Sequence, residues 1–160
     1  DKEFIVHTIN FLASKNEVPE YIVHIRPTTP FRDPNIIDQA IAEFKASSDA
    51  TSLRSVHEMS ESSYKTFEMS ENNFLKPLAI GKNLDDSNNP RQVFPKTYFA
   101  NGYVDVLSTS FVTQHDLIHG DQIMPFITPS TFEIDNEEDF NLLEQKLLAN
   151  RDIAVNIFGE

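Results

Sequence analysis

Apolar residues recur at helical spacing from the start of the chain. Phe4, Ile5, Ile9, Phe11 and Leu12 predict an amphipathic helix over residues 2–15. Tyr21–Ile25 is then an apolar, β-branched run. Pro27 and Pro30 close it, because proline cannot donate to a sheet ladder. Asp33 suits a helix cap and Pro34 its first position, so a helix over 34–46 follows, marked by Ile36, Ile37, Ala40, Ile41 and Phe44. Thr51–His57 reads as the next strand, and strand, helix, strand predicts a βαβ unit with parallel strands and a right-handed crossover. The period then changes. Residues 64–69 and 74–78 flank Ser70–Asn73 as a β-hairpin, and 81–90 is a polar loop. Residues 99–107 form a strand interrupted by Asn101–Gly102, a pair that implies a bulge or close approach to a ligand. A helical turn over 108–113 follows, then a turn at His119–Asp121 leading to Ile123–Ile127, and a last short strand at Thr131–Asp135. Asn136 caps a helix over 137–149, with Phe140, Leu143, Leu147 and Leu148 on one face. The tail, Asp152–Phe158, fits either a terminal strand or an exchanged arm. The alternation predicts one domain, a three-layer α/β/α sandwich with a mostly parallel sheet and a hairpin insertion.

Composition narrows the partners. The chain of 160 residues carries a net charge of -12, with no basic stripe to meet a nucleic-acid backbone. An anionic ligand must therefore be met by a few local cations. There is no cysteine, which excludes disulfides and thiolate chemistry and leaves the compartment open. No apolar run approaches a membrane span and no signal peptide is visible, so a cytoplasmic location is the default expectation.

Three groups of residues suggest chemistry. Arg26, Arg32, Lys65, Arg91 and Lys96 cluster mostly in proline-marked polar loops. Arginine can grip a carboxylate or phosphate as a fork, and lysine acts as a point charge; ordinary surface ion pairing is the plainer account. The loop 26–33 lies between a strand end and a helix start, where open α/β sheets bind ligands, although prolines also simply shape connections. Glu133 and Asp135, at i and i+2 of the last predicted strand, share a face and suit a hard cation such as Mg²⁺; acids at a helix start are the alternative. His115 and His119 read as turn residues.

Arg26-Pro27-Thr28-Thr29-Pro30-Phe31-Arg32 resembles the Gln-Pro-Thr-Ser-Pro-Leu-Arg loop of acylneuraminate cytidylyltransferases, which activate sialic and related nonulosonic acids as CMP-sugars. Arg91, Gln92, Pro95, Lys96, Tyr98, Asn101 and Gly102 match that family's Arg-Gln-x-x-Pro-Lys-x-Tyr-x-x-Asn-Gly run in place. Tyr64-Lys65 and Glu133-Ile134-Asp135 are similar to two further family positions, a lysine that reaches the sugar and an Asp-x-Asp that binds the catalytic metal. The resemblance runs from the first predicted helix to the last. It implies a nucleotide-diphospho-sugar transferase-like fold and transfer of a cytidylyl group from CTP to a nine-carbon acidic sugar, giving CMP-sugar and pyrophosphate. It implies Arg91 and Lys65 as catalytic cations, with Arg91 on the sugar carboxylate. Substrate would be bound by Arg26, Thr28, Thr29, Arg32, Gln92, Lys96, Tyr98, Asn101 and Asp105, and Mg²⁺ by Glu133 and Asp135. A homodimer is implied too, through the hairpin and the segment holding Phe111, Val112, Met124, Phe126 and Ile127.

Four departures qualify the match. Arg26 stands for the usual Gln, Glu133 for Asp, and Asp105 for a Tyr found in several members. The family's N-terminal strand and Gly/Arg/Lys-rich nucleotide loop have no counterpart, and the chain has only 4 glycines. The expectation is therefore the C-terminal two-thirds of such an enzyme, with little activity by itself. A different sugar nucleotidyltransferase of the same fold, or a non-catalytic binding module derived from it, would also fit.

Overall fold

Four strands carry the fold, in the order β1 (Tyr21–His24), β5 (Tyr98–Ser108), β2 (Ser52–Glu58), β6 (Ile123–Ile127). The computed structural model describes residues 1–150 together with 153, 155 and 157. The tail Asp152–Phe158 lies outside the described residues apart from 153, 155 and 157. The chain divides into two compact units, Asp1–Val56 with Ala100–Glu160, and His57–Phe99.

In the first unit β1 runs antiparallel to β5, with His24 opposite Asp105, and β2 runs parallel to β6. Ser108 N–H donates to the Thr51 carbonyl at 3.3 Å and Val104 N–H to Ser55 Oγ at 2.9 Å, so β5 also runs antiparallel to β2. The architecture is mixed α/β with a mostly antiparallel sheet, which corrects the expected mostly parallel one. The physical reason is β5. It lies between β1 and β2, so the two strands of the predicted βαβ unit point the same way without being neighbours.

Strand alternation sends successive β5 side chains to opposite faces. Val104 and Val106 pack with Leu53 and Phe126 against Ala40 and Phe44 of α2 (Pro34–Ala46). Leu107 packs with Ile5 and Ile9 of α1 (Lys2–Ser14) and Val112 of α3 (Thr109–His115). Burying each such side chain contributes about 1.5–3 kcal/mol. The stripe of α1 is narrower than predicted, since Phe4 and Phe11 are exposed. Val112 and Phe126 are buried core residues, which removes them from the expected interface set; Ile127 is exposed.

Local chemistry fixes the helix starts. Asp33 caps α2, its carboxylate accepting from Asn35 N–H at 2.9 Å, and Pro34 follows. Asn136 caps α4 (Glu137–Ala149), accepting from Asp139 N–H at 3.0 Å. The expected strand at Thr131–Asp135 is absent. Ile134 N–H instead donates to the Thr28 carbonyl at 2.8 Å, so the segment is tied to the loop after β1 rather than to a sheet neighbour.

In the second unit β3 (Phe67–Met69) pairs antiparallel with β4 (Leu75–Pro77) as the predicted hairpin, closed by Ser70 N–H on the Phe74 carbonyl at 2.8 Å. Met69, Phe74, Leu75 and Ile80 are all exposed there. Among the described residues no helix is long and apolar enough to cross a membrane.

Candidate functional site

The loop after β1 is built around Arg32. Its buried guanidinium donates to the Tyr103 carbonyl at 2.7 Å, to the Gly102 carbonyl at 3.1 Å, and to the Arg26 carbonyl. Burial pushes its pKa down, yet arginine remains a cation in proteins. Arg32 thus spends its donors on backbone, welding the loop to β5. Tyr103 adds to the joint: its hydroxyl accepts from Asp33 N–H at 2.6 Å.

That joint brings three distant stretches together at Gly102. This glycine has φ +64, in the left-handed region that favours glycine. A Cβ there would stand 3.1 Å from Glu133 Oε1, 3.3 Å from Thr29 Oγ1 and 3.5 Å from Arg26 Cδ. The missing side chain lets a carboxylate, a hydroxyl and a methylene converge over the Gly102 backbone, a junction referred to below as the cradle. Thr29 Oγ1 is buried without a hydrogen-bond partner among the described residues. A buried hydroxyl without a partner is costly.

Beside the cradle, Asn101 is buried and committed. Its amide donates to Thr128 Oγ1 at 2.6 Å and its Oδ1 accepts from Tyr103 N–H at 3.3 Å. Thr28 contributes the carbonyl that holds Ile134, and its side chain is exposed. Asp135 N–H donates to Asp139 Oδ2 at 3.1 Å. Among the described residues neither Glu133 nor Asp135 is paired with a cation, and no cluster of three or more His, Cys, Asp or Glu forms a ready metal cage. Glu133 offers the hard oxygen donor that Mg²⁺ takes; with no strand at 131–135, the shared face expected to set Asp135 beside it does not form.

Asp105 is the centre of a buried charge cluster. Its Oδ2 accepts from Arg26 Nη1 at 3.0 Å, and its Oδ1 lies 3.7 Å from Arg54 Nε. His24 Nδ1 stands 3.8 Å away, beyond hydrogen-bond reach. Burial alone would raise the carboxyl pKa, but the neighbouring His24 ring and the charges of Arg26, Arg54 and His119 outweigh it and hold the group low. Burial pushes His119 down, and its Nδ1 lies 3.2 Å from Ser52 Oγ. Arg26 is held at its other side by Asp1, at 2.8 Å. Two of the departures from the family pattern, Arg26 and Asp105, are therefore partners of each other.

The second unit holds the remaining predicted residues. Glu58 receives Lys96 Nζ at 2.7 Å and Arg91 Nη2 at 3.2 Å, while Arg91 Nη1 donates to the Ser60 carbonyl at 2.5 Å. The Lys96 hydrogen bond, with the Arg91 charge, lowers the Glu58 pKa, and the same hydrogen bond raises that of Lys96. These groups and Gln92 line a cavity of about 280 Å³. Lys65 lies apart from that ion pair, donating to the Asn89 carbonyl at 3.2 Å, while Tyr64 stacks on Phe94 with ring centres 5.7 Å apart. Tyr98 is exposed.

Sequence reasoning missed Glu58, Arg54, His24 and His119. Glu58 ends a strand with no motif around it, and the others meet Asp105 only through cross-strand register or tertiary packing. No family model matches the chain, and no curated protein matches it at a significant level.

Proposed function

We propose that this chain carries the sugar-acid and metal side of a cytidylyltransferase of the acylneuraminate type. The overall reaction is attack of the anomeric hydroxyl of a nonulosonic acid on the α-phosphorus of CTP. A new P–O bond forms, the bond to pyrophosphate breaks, and the hydroxyl gives up its proton. In this reading the fold belongs to the three-layer, nucleotide-diphospho-sugar transferase-like class, with β5 as its antiparallel strand, and the protein acts in the cytoplasm. The observation that carries the reading is the meeting at Gly102 of the 26–32 loop, Asn101–Gly102 and Glu133. These are three of the stretches that resemble the family, and nothing in their sequence separation requires them to meet.

Each residue then has a task within its own unit. A sugar hydroxyl or acyl edge rests against the outer rim of this junction, while Asn101 and Arg32 fix its walls. Glu133 and Asp135 would hold Mg²⁺, which supplies charge neutralisation at phosphate when bound. Within the second unit by itself, Arg91 presents a fork suited to a carboxylate once Glu58 yields it, and Lys96 and Lys65 add positive charge there. Catalysis is positioning and electrostatics rather than covalent chemistry. The exposed apolar hairpin serves a homodimer, which light scattering at micromolar concentration tests, a monomer counting against it.

Backbone NMR during addition of CMP-sialic acid tests the reading. Shifts concentrated at residues 26–32, 101–102 and 133–135 support it. Shifts confined elsewhere, or none, reject it.

A further inference from the structure

The turn between α3 and β6 is docked by one histidine. The His119 carbonyl accepts from Thr51 Oγ1 at 2.5 Å and from Ser52 Oγ at 3.2 Å, and the ring Nδ1 lies 3.2 Å from the same Ser52 Oγ. Ser52 is fully buried and has one hydroxyl proton to give. With that proton on the carbonyl, Nδ1 carries the ring proton and donates to Ser52 Oγ, which leaves Nε2 as the bare nitrogen. Nε2 is buried and has no hydrogen-bond partner among the described residues. The turn is packed tightly where it lies: a Cβ on Gly120, the next residue, would stand 2.5 Å from the Phe111 ring and 2.8 Å from Thr51 Oγ1.

A second proton on this ring would create a buried, charged N–H with no acceptor, a costly arrangement. The charged and titratable groups around it are His24 from β1, Asp105 from β5, Arg54 from β2 and Arg26 from the loop after β1. Asp105 is the anion among them, and its carboxylate is already met by Arg26 at 3.0 Å and Arg54 at 3.7 Å. Asp1 sits on Arg26 at 2.8 Å. On the turn itself, Asp116 and Asp121 are exposed, and Asp116 is paired with Lys2 at 2.7 Å. Burial, with the two arginines and His24, holds the His119 pKa below its ordinary value against the pull of Asp105. We propose that His119 is an acid-sensitive latch: its neutral ring docks the 116–122 turn on the start of β2, and protonation of that ring frees the turn. A base whose folded pKa is lowered lends stability that is complete above the unfolded value of about 6.5 and is lost as pH falls from there toward the folded value.

Amide hydrogen exchange of the full chain between about pH 8 and about pH 5, corrected for the intrinsic pH dependence of exchange, is the test. In wild type, protection of residues 118–122 falls about fivefold or more across that range, while protection of β5 holds. His119→Asn keeps a donor for Ser52 Oγ but cannot titrate, so its turn responds no further to acid. His24→Asn keeps the wild-type loss, which separates the latch from the other histidine of the cluster. The His119 ring signal, followed by NMR in wild type, titrates below about 6.5, a result that does not depend on either variant folding. Constant protection of the wild-type turn, an acid loss that persists in folded His119→Asn or vanishes in folded His24→Asn, or a ring that titrates at or above about 6.5 overturns the proposal.

Discussion

Among the described residues, three glycines with positive φ allow the Gly102 junction to be separated from ordinary glycine chemistry. Gly81 (φ +75) has nothing within 4 Å of a built Cβ. Gly102 (φ +64) meets Glu133 Oε1 at 3.1 Å and Thr29 Oγ1 at 3.3 Å, and Gly120 (φ +77) meets the Phe111 ring at 2.5 Å. Placing alanine in the left-handed region costs about 1–2 kcal/mol. The loss of unfolded-chain freedom offsets about 0.4–1 kcal/mol of that. Gly81→Ala is therefore expected to cost about 1 kcal/mol, since it adds no contact. Gly102→Ala adds a tight but yielding contact to two side-chain ends, for about 2 kcal/mol in all, and Gly120→Ala drives a methyl into a ring, for about 3–4 kcal/mol. At about 2–4 °C per kcal/mol for a chain of this size, the three melting temperatures fall in that order. Binding of CMP-sialic acid follows a different order. Gly102→Ala fills the cradle and weakens binding about tenfold or more, as a displaced polar contact of about 1.4 kcal/mol would, while Gly81→Ala and Gly120→Ala leave the folded protein's affinity near wild type. Calorimetry on all three variants reads both quantities. If the loss of affinity tracks the loss of stability, with Gly120→Ala worst on both, the cradle is not the site.

Other perturbations read the remaining contacts. Arg32→Lys keeps the charge but cannot reproduce the fork on the Tyr103 and Gly102 carbonyls, so urea unfolding should show a loss of about 2 kcal/mol or more; a loss near zero would mean Arg32 does not hold the loop to β5. Glu58→Gln frees Arg91 and Lys96, so the Lys96 pKa falls back and free sialic acid binds the second unit more tightly, as NMR titration measures; weaker binding would make Glu58 part of the site rather than its placeholder. The Asp105 carboxyl is held below its ordinary value in the fold. Its contribution to stability is complete above the unfolded pKa of about 4 and is lost as pH falls through the folded value, so Asp105→Asn should flatten the acid limb of stability below about pH 4. An acid limb identical to wild type would contradict this.

Much of the architecture was written locally. The ends of α2 and α4 followed from Asp33-Pro34 and Asn136, because a cap is made by its own neighbours. The hairpin followed from a polar turn between two strand-like runs. The direction of β5 was not legible, since a strand's orientation depends on partners distant in sequence and its residue pattern is the same either way. The strand expected at Thr131–Asp135 failed for a related reason: Ile134 found its hydrogen-bond acceptor in the Thr28 carbonyl instead of a ladder. The meeting of contiguous stretches was legible only as motifs, at Arg26–Arg32 and Asn101–Gly102, which the fold brings together at Gly102. Contacts that depend on register and packing were not legible. Asp105 looked like an isolated substitution until the fold set it against Arg26, and ordinary ion pairing, the plainer account of the cations, describes Arg91 on Glu58.

Titration calorimetry of the wild-type chain with CMP-sialic acid, and separately with CTP plus Mg²⁺, tests the central claim most directly. The account predicts saturable binding of the CMP-sugar, lost in Gly102→Ala, with CTP alone bound far more weakly. A folded chain that releases no heat with the CMP-sugar, or binds it unchanged after Gly102→Ala, would contradict it.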